Sequence, residues 1–337
     1  MSNWYLETTN EDTVVSTRIR MARNISGIPF KNKMTEQDKQ NVINTVKNAI
    51  QNTKFGLKLM LLKDMDDITK LSLIEKHIIS PEFALGKESS NAIAINEEEN
   101  ICIMINEEDH LRLQVFAPGL NLESAYSLAT EVEETIGKAI NYAFSEKYGF
   151  LTSCPSNVGT ALRTSIMMHL PALTETKNIN KVLNVVNSFG MNIRGIYGEG
   201  TNSQGNIYQI SNKQTLGITE EETLQNLKAI IDKVIEQEKL ARNILKKDSL
   251  ELEDKICRSY GILTNCKKIS SEECSKLLSK IRLGINLGII NEITEEKLNK
   301  IEIYTKPANL QKRLGQVLDA YQRDIKRAEV IKQIIAE

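Results

Sequence analysis

Apolar residues first fall into a helical period over residues 35–52, where Val42, Ile43, Val46 and Ile50 share one side of a 3.6-residue repeat. From about 55 to 117 the pattern changes. The runs KFGLKLMLL, NAIAIN, NICIMIN and HLRLQVF are short, rich in β-prone residues and separated by acidic or Asn-containing turns, which predicts an antiparallel hairpin or meander over 91–116. A helical period returns over 123–147. IMMHLPAL, NIRGIYG and GNIYQISN then read as further strands or strand edges. After Thr219 the text turns helical. Thr219 and Glu222 form a capping box ahead of Leu224, Leu227, Ile231 and Val234. Ser270 and Glu273 open another helix, and Pro307 suits the first turn of a last one running to the C-terminus. The reading is an α+β domain over residues 1–243 and an all-helical domain over 244–337, with no tandem repeats.

The length of 337 residues fits about two domains. Hydrophobic content of 41% and charged content of 26% are those of an ordinary soluble protein. A net charge of −1 gives no global attraction to nucleic acid or an acidic membrane, so an anion site must come from locally clustered arginines. No apolar run reaches the ~20 residues that span a bilayer. The opening MSNWYLETTNED is polar and acidic, unlike a signal or transit peptide. Five cysteines without paired spacing fit a reducing cytoplasm. Three histidines and no CxxC or HxxxH argue against a structural zinc site.

Four segments carry chemistry. Asn106-Glu107-Glu108-Asp109-His110-Leu111-Arg112 sets three carboxylates in a row at a turn between β-prone runs. Such a row suits either a solvated hairpin tip or a place where a cation sits. In Ser16-Thr17-Arg18-Ile19-Arg20, an extended backbone points Arg18 and Arg20 to one face. Two guanidinium forks on one face suit a polyphosphate or a pair of surface ion pairs. Cys154-Pro155-Ser156-Asn157-Val158-Gly159-Thr160-Ala161-Leu162-Arg163 is a small-residue loop that lets backbone N–H groups approach an anion, without the GK[ST] ending of a Walker A loop. Its cysteine is either a polarised thiol or a small buried residue. Arg194-Gly195-Ile196-Tyr197-Gly198-Glu199-Gly200 has the glycines of a hinged lid or of an ordinary flexible connection.

In this order and spacing, NEEDHLR and CPSNxGTxLR resemble the guanidino (phosphagen) kinase family over roughly residues 13–243. The resemblance implies an antiparallel sheet flanked by helices, the glutamine-synthetase-like catalytic fold, with ATP as donor, a guanidinium as acceptor, and Mg²⁺ held mainly by the nucleotide phosphates. It implies that Arg18, Arg20, Arg112, Arg163 and Arg194 grip phosphates. Ser16, Thr17, Ile19, His77, Thr164, Ser165, Ile166, Met167, Gly195, Ile196, Tyr197, Gly198 and Glu199 complete the implied nucleotide site. Glu108 matches the carboxylate that holds and deprotonates the acceptor, Glu199 the carboxylate of the closing loop, and Cys154 the reactive cysteine beside the guanidinium.

Departures narrow the resemblance. About fifteen residues precede Ser16, where phosphagen kinases of small substrates carry a helical domain, so the acceptor side is expected to be open. Met167 and Gly200 stand where those enzymes usually have histidines, and the helical C-terminal domain lies outside their pattern. All this resembles the bacterial protein-arginine kinases, whose RDxxRA motif matches Arg323-Asp324-Ile325-Lys326-Arg327-Ala328. That motif implies an allosteric phosphoarginine site at Arg323, Asp324, Arg327 and Ala328, with Arg323 and Arg327 on one helix face. The branch implies protein substrates with exposed arginine, a zinc-containing activator protein, a stress-response repressor, a protease-associated unfoldase and a homodimer. Two alternatives stand beside it: a kinase of free arginine or a similar small guanidine, and a phosphoarginine-binding adaptor without catalysis.

Overall fold

The computed structural model describes residues 3–9, 11–86, 90–195 and 203–337. The strands are β1 (Val14–Arg23), β2 (Lys58–Leu61), β3 (Ala92–Ile95), β4 (Ile101–Ile105), β5 (Leu111–Pro118), β6 (Phe144–Ser145), β7 (Gly149–Phe150), β8 (Leu162–His169), β9 (Met191–Gly195) and β10 (Ile207–Asn212). The α-helices are α1 (Glu36–Ile50), α2 (Asp67–Glu75), α3 (Pro81–Leu85), α4 (Leu122–Gly137), α5 (Pro171–Glu175), α6 (Ile179–Ser188), α7 (Glu220–Leu245), α8 (Ser249–Asn265), α9 (Ser271–Asn286), α10 (Glu295–Tyr304), α11 (Pro307–Leu314) and α12 (Ala320–Ala336). The chain divides into two compact units, one built mainly of Ser16–Ser165 and Ser211–Lys228, the other of Tyr5–Val15, Ile166–Ile210 and Ala229–Glu337.

In the first unit β2, β3, β4, β5 and β1 lie side by side, each pair antiparallel. Side chains alternate across a strand, so the register assigns each to a face. Ile19 opposes Val115 and Met21 opposes Leu113, and all four are buried in an apolar face. Helix α4 packs on β5 and α1 on α4. The intervening positions make the other face. There Arg18 opposes Phe116, Arg20 opposes Gln114, and Ala22 opposes Arg112. Over β3 and β4 this second face is roofed. Ile93, Ile95, Cys102 and Met104 pack with Leu73, Ile78, Ile79 and Phe83 from the α2–α3 region. The roof leaves the arginines of β5 and β1 at its edge.

The second unit is mainly helical. Ile256, Leu263, Ile281, Leu298, Leu310 and Ile331 form one apolar cluster drawn from α8 to α12. Both capping predictions appear. Glu222 accepts from the Thr219 N–H while Thr219 Oγ1 accepts from the Glu222 N–H, and Ser270 caps α9 through the Glu273 N–H. Three predicted elements differ. The last helix is two, because Gly315 takes φ 64° and closes α11 before Asp319 and Gln322 cap α12. The helix expected over 123–147 stops at Gly137 and gives way to the β6–β7 hairpin. IMMHLPAL is a strand only to His169, since Pro171 starts α5.

Candidate active site

The acidic turn is a constructed hairpin tip whose carboxylates have separate tasks. Asn106 sits at φ 63°, a conformation Asn tolerates, and its Nδ2 donates to the carbonyls of Lys39 (3.1 Å) and Ser90 (2.8 Å). Glu107 is half-buried. It accepts from Arg112 Nη1 (2.6 Å), from the Glu108 N–H (2.7 Å) and from Ser80 Oγ (3.0 Å). Burial alone would raise its pKa. The Arg112 charge and these hydrogen bonds outweigh that and hold the carboxyl below the ordinary glutamate value. Glu107 therefore fixes Arg112. Asp109 is buried and ties distant segments together, accepting from Asn24 Nδ2 (2.7 Å) and from the Ser153 N–H (2.7 Å).

His110 is part of the frame as well. The Ile25 N–H donates to Nδ1 (3.0 Å), so Nε2 carries the proton and donates to the Pro29 carbonyl (2.8 Å). Burial pushes its pKa down, which keeps the ring neutral. Glu108 alone projects, its side chain 42% exposed. It lies 3.9 Å from Arg112 Nη1 and accepts from Asn157 Nδ2 at 3.3 Å.

Asn157 belongs to the loop that carries Cys154, whose Sγ lies 3.0 Å from Ser156 Oγ. Thr215 Oγ1 braces that loop by donating to the carbonyls of Ser156 (3.0 Å) and Val158 (2.8 Å). Gly159 takes φ 113°, and a Cβ there would lie 2.1 Å from the Thr215 carbonyl oxygen. Only glycine fits. Gly159→Ala is expected to lower stability by at least ~2 kcal/mol, read as a fall in the thermal midpoint, and to raise the acceptor KM through displacement of Asn157. An unchanged midpoint would mean that the loop rearranges freely.

The other implied residues have differing surroundings. Arg18, Arg20 and Arg112 share the second sheet face. His77 stands beside that face. It follows α2 at φ 62°, and the next carbonyl, of Ile78, accepts from Gln114 Nε2 (2.7 Å), Gln114 being the cross-strand partner of Arg20. Arg163 is half-buried on β8 in the same unit. Thr17 and Ile19 point to the opposite, apolar face, and Thr17 Oγ1 donates to the Gly119 carbonyl (2.6 Å), so any contact they make with a nucleotide is through backbone. Ser16, Thr164, Ser165 and Ile166 are buried and Met167 is half-buried. Arg194 is exposed and Gly195 half-buried on β9, in the second unit. Ile196, Tyr197, Gly198, Glu199 and Gly200 lie outside the described residues.

At the C-terminal motif the two arginines are not offered together. Arg327 is 1% exposed and donates to the carbonyls of Thr305 (2.8 Å) and Ile269 (2.7 Å) and to Asp324 (2.6 Å). Arg323 is half-buried and donates to the Leu318 carbonyl, and Ala328 is buried. A four-residue spacing gives a shared side of the helix but not its exposure.

Sequence reasoning missed Asn24, Ser80, Gln114 and Asn157. Asn157 lay inside a motif already singled out. The other three gain their roles from strand register and long-range contacts. Among the described residues, no group of three or more His, Cys, Asp and Glu side chains is placed to hold a metal, and no helix is long and apolar enough to cross a membrane.

Comparison with known proteins identifies the family. The family model described as "ATP:guanido phosphotransferase, C-terminal catalytic domain" matches residues 39–241, and one described as "Protein-arginine kinase McsB C-terminal domain" matches 249–337. The chain is 45% identical to a protein-arginine kinase of Halothermothrix orenii over 98% of its own length and 96% of the relative's. It is 42% identical to one of Clostridium tetani, covering 99% and 98%. Among solved structures, lombricine kinase aligns with a TM-score of 0.62 at 25% identity, covering 69% of this chain and 68% of that one. A duplicated taurocyamine kinase of Schistosoma mansoni, solved with transition-state-analogue components, aligns with a TM-score of 0.60 at 27% identity, over 69% of this chain and 34% of the longer enzyme. With family models over both halves and relatives above 40% identity over nearly the whole length, the chain belongs to the ATP:guanido phosphotransferase family, in its protein-arginine kinase branch.

Proposed function

We propose that this protein-arginine kinase seats the ATP phosphates on Arg18, Arg20, Arg112 and Arg163 and the acceptor guanidinium on Glu108. The single observation that supports this most is the register. It sets Arg18, Arg20 and Arg112 on one face of two neighbouring strands, and Glu108 stands 3.9 Å from Arg112.

Phosphoryl transfer needs charge neutralisation and alignment more than covalent help. A bound Mg²⁺ would ride on the nucleotide phosphates and neutralise about two of their charges, and the arginine-lined face fits such a polyanion. The guanidinium forks take the remaining charge through charge-assisted hydrogen bonds, each contributing roughly 1.5–3 kcal/mol. Because Glu107 fixes Arg112 before substrate arrives, little ordering remains for the moment of reaction. The acceptor is harder. A guanidinium pKa above ~12 against ~4.3 for glutamate puts ground-state deprotonation about 11 kcal/mol uphill. Glu108 therefore orients the guanidinium and accepts its proton late, as the N–P bond forms and the nitrogen becomes acidic. Cys154, on the loop whose Asn157 bonds Glu108, is assigned to the acceptor side as a polarisable sulfur. Arg194 and Glu199 are assigned to a closing loop that completes the clamp.

The finer biology is proposed on the same footing. The products are phosphoarginine marks for regulated degradation or stress-response control, made in the cytoplasm by a homodimer. The domain division at 243/244 is supported by family models that end at 241 and begin at 249. Partners are an activator protein containing zinc, a stress-response repressor and a protease-associated unfoldase. Arg323 and Asp324 are assigned to phosphoarginine sensing, with Arg327 and Ala328 holding their helix from within.

Incubation with MgATP and an unfolded protein, followed by mass spectrometry without acid, tests the activity. Phosphate is expected on arginine side chains and lost on acid treatment. Phosphorylation of free arginine in preference to protein would move the assignment to a small-guanidine kinase. An absence of any transfer would point to the adaptor reading.

A further inference from the structure

We propose that the cleft beside the Cys154–Thr160 loop is a docking groove for the stretch of substrate chain that flanks the target arginine, and that it selects an apolar residue there. The inference rests on the acceptor seat assigned to Glu108.

The cleft has a volume of about 430 Å³ and lies within the first unit. Its walls come from the β6–β7 hairpin and from the segment that leads into α7. Three large apolar side chains are exposed along it: Phe144 is 58%, Tyr148 46% and Leu216 50% exposed. Apolar side chains gathered round one cleft and rimmed by polar residues are the form an interaction site takes.

The groove is continuous with the acceptor loop. Gly159 exchanges hydrogen bonds with Phe150 on one side (2.8 and 3.3 Å), and the Thr160 N–H donates to the Thr215 carbonyl on the other (2.9 Å). Gly159 and Thr160 thus line the cleft, while Asn157, two residues earlier, holds Glu108. Two residues span at most about 7 Å, and an extended peptide advances ~3.3 Å per residue. A chain with its arginine on Glu108 reaches the groove with a side chain about two to four positions away.

Charge sets the preference further. Glu220 and Glu222 line the groove against one lysine, Lys147. Glu220 accepts a hydrogen bond from the Tyr126 hydroxyl and the Glu222 carboxylate accepts from the Thr219 N–H at the start of α7. Both are spent on structure, yet they leave an acidic wall that favours a segment with a further basic residue. An unfolded stretch of protein supplies apolar and basic side chains together. A folded surface hides the apolar ones.

The test compares three acceptors in the full-length enzyme: N-acetyl-arginine amide, a peptide with glycine and serine around one arginine, and peptides with leucine or phenylalanine two to four positions from it. The apolar peptides are expected to show kcat/KM at least ~10-fold above the Gly/Ser peptide, carried by KM. In Leu216→Ser and Tyr148→Ser, both changed at exposed positions, this advantage is expected to shrink to about twofold while N-acetyl-arginine amide is used as before. Equal use of all peptides by the wild type overturns the groove, as does a parallel loss of the amide in both variants. A wild type without flank preference whose Glu108→Gln variant is inactive would remove the groove and leave the acceptor seat standing.

Discussion

Glu108→Gln is expected to lower kcat at least ~100-fold while MgADP still binds. The amide keeps the shape and the reach of the side chain. It loses the charge that seats a guanidinium and the basicity that takes its proton. Nucleotide binding is expected to survive because Arg112 is held by Glu107, whose oxygens accept from Arg112, Ser80 and the Glu108 backbone N–H, none of which involves the Glu108 carboxylate. Single-turnover kinetics give the rate. Binding can be read from Trp4, the one tryptophan of the chain, which stacks at 4.8 Å on Phe116, the cross-strand neighbour of Arg18. Near-normal turnover in this variant would place the base elsewhere.

Arg112→Ala acts on two terms at once. It removes a cation assigned to the phosphates, and it takes the ion partner from a half-buried Glu107 that keeps only its backbone and Ser80 donors. Loss of a charge-assisted bond of roughly 1.5–3 kcal/mol corresponds to nucleotide affinity about 10- to 150-fold weaker. A lower thermal midpoint accompanies it, because the Glu107 carboxylate then bears its burial cost with less compensation. The two effects separate the roles. A depressed midpoint with unchanged nucleotide affinity would make Arg112 a structural residue only.

How much of this was legible in the amino-acid text depends on the range of the interaction. Arg18 and Arg20 could be set on one face because a period of two is a local property of an extended chain. The capping pairs Thr219–Glu222 and Ser270–Glu273 are equally local. The carboxylates of the acidic turn were not separable in that way. Glu107, Glu108 and Asp109 are adjacent in sequence, yet what distinguishes them is contact with Ser80, Asn157, Asn24 and Ser153, all far along the chain. Arg327 shows the same limit. Its spacing from Arg323 was readable, but its burial follows from the carbonyls of Ile269 and Thr305, which other helices bring to it. The break before α12 had a local signal in Gly315 and Asp319, which an uninterrupted helical period from Pro307 overlooks.

The most direct measurement is a crystal structure with MgADP, nitrate and an arginine-containing peptide, nitrate standing for the planar group in flight. Phosphate oxygens are expected within about 3.2 Å of the guanidinium groups of Arg18, Arg20 and Arg112, with the peptide guanidinium hydrogen-bonded to the Glu108 carboxylate. A nucleotide bound away from that sheet face, or a peptide arginine held by groups other than Glu108, would contradict the assignment.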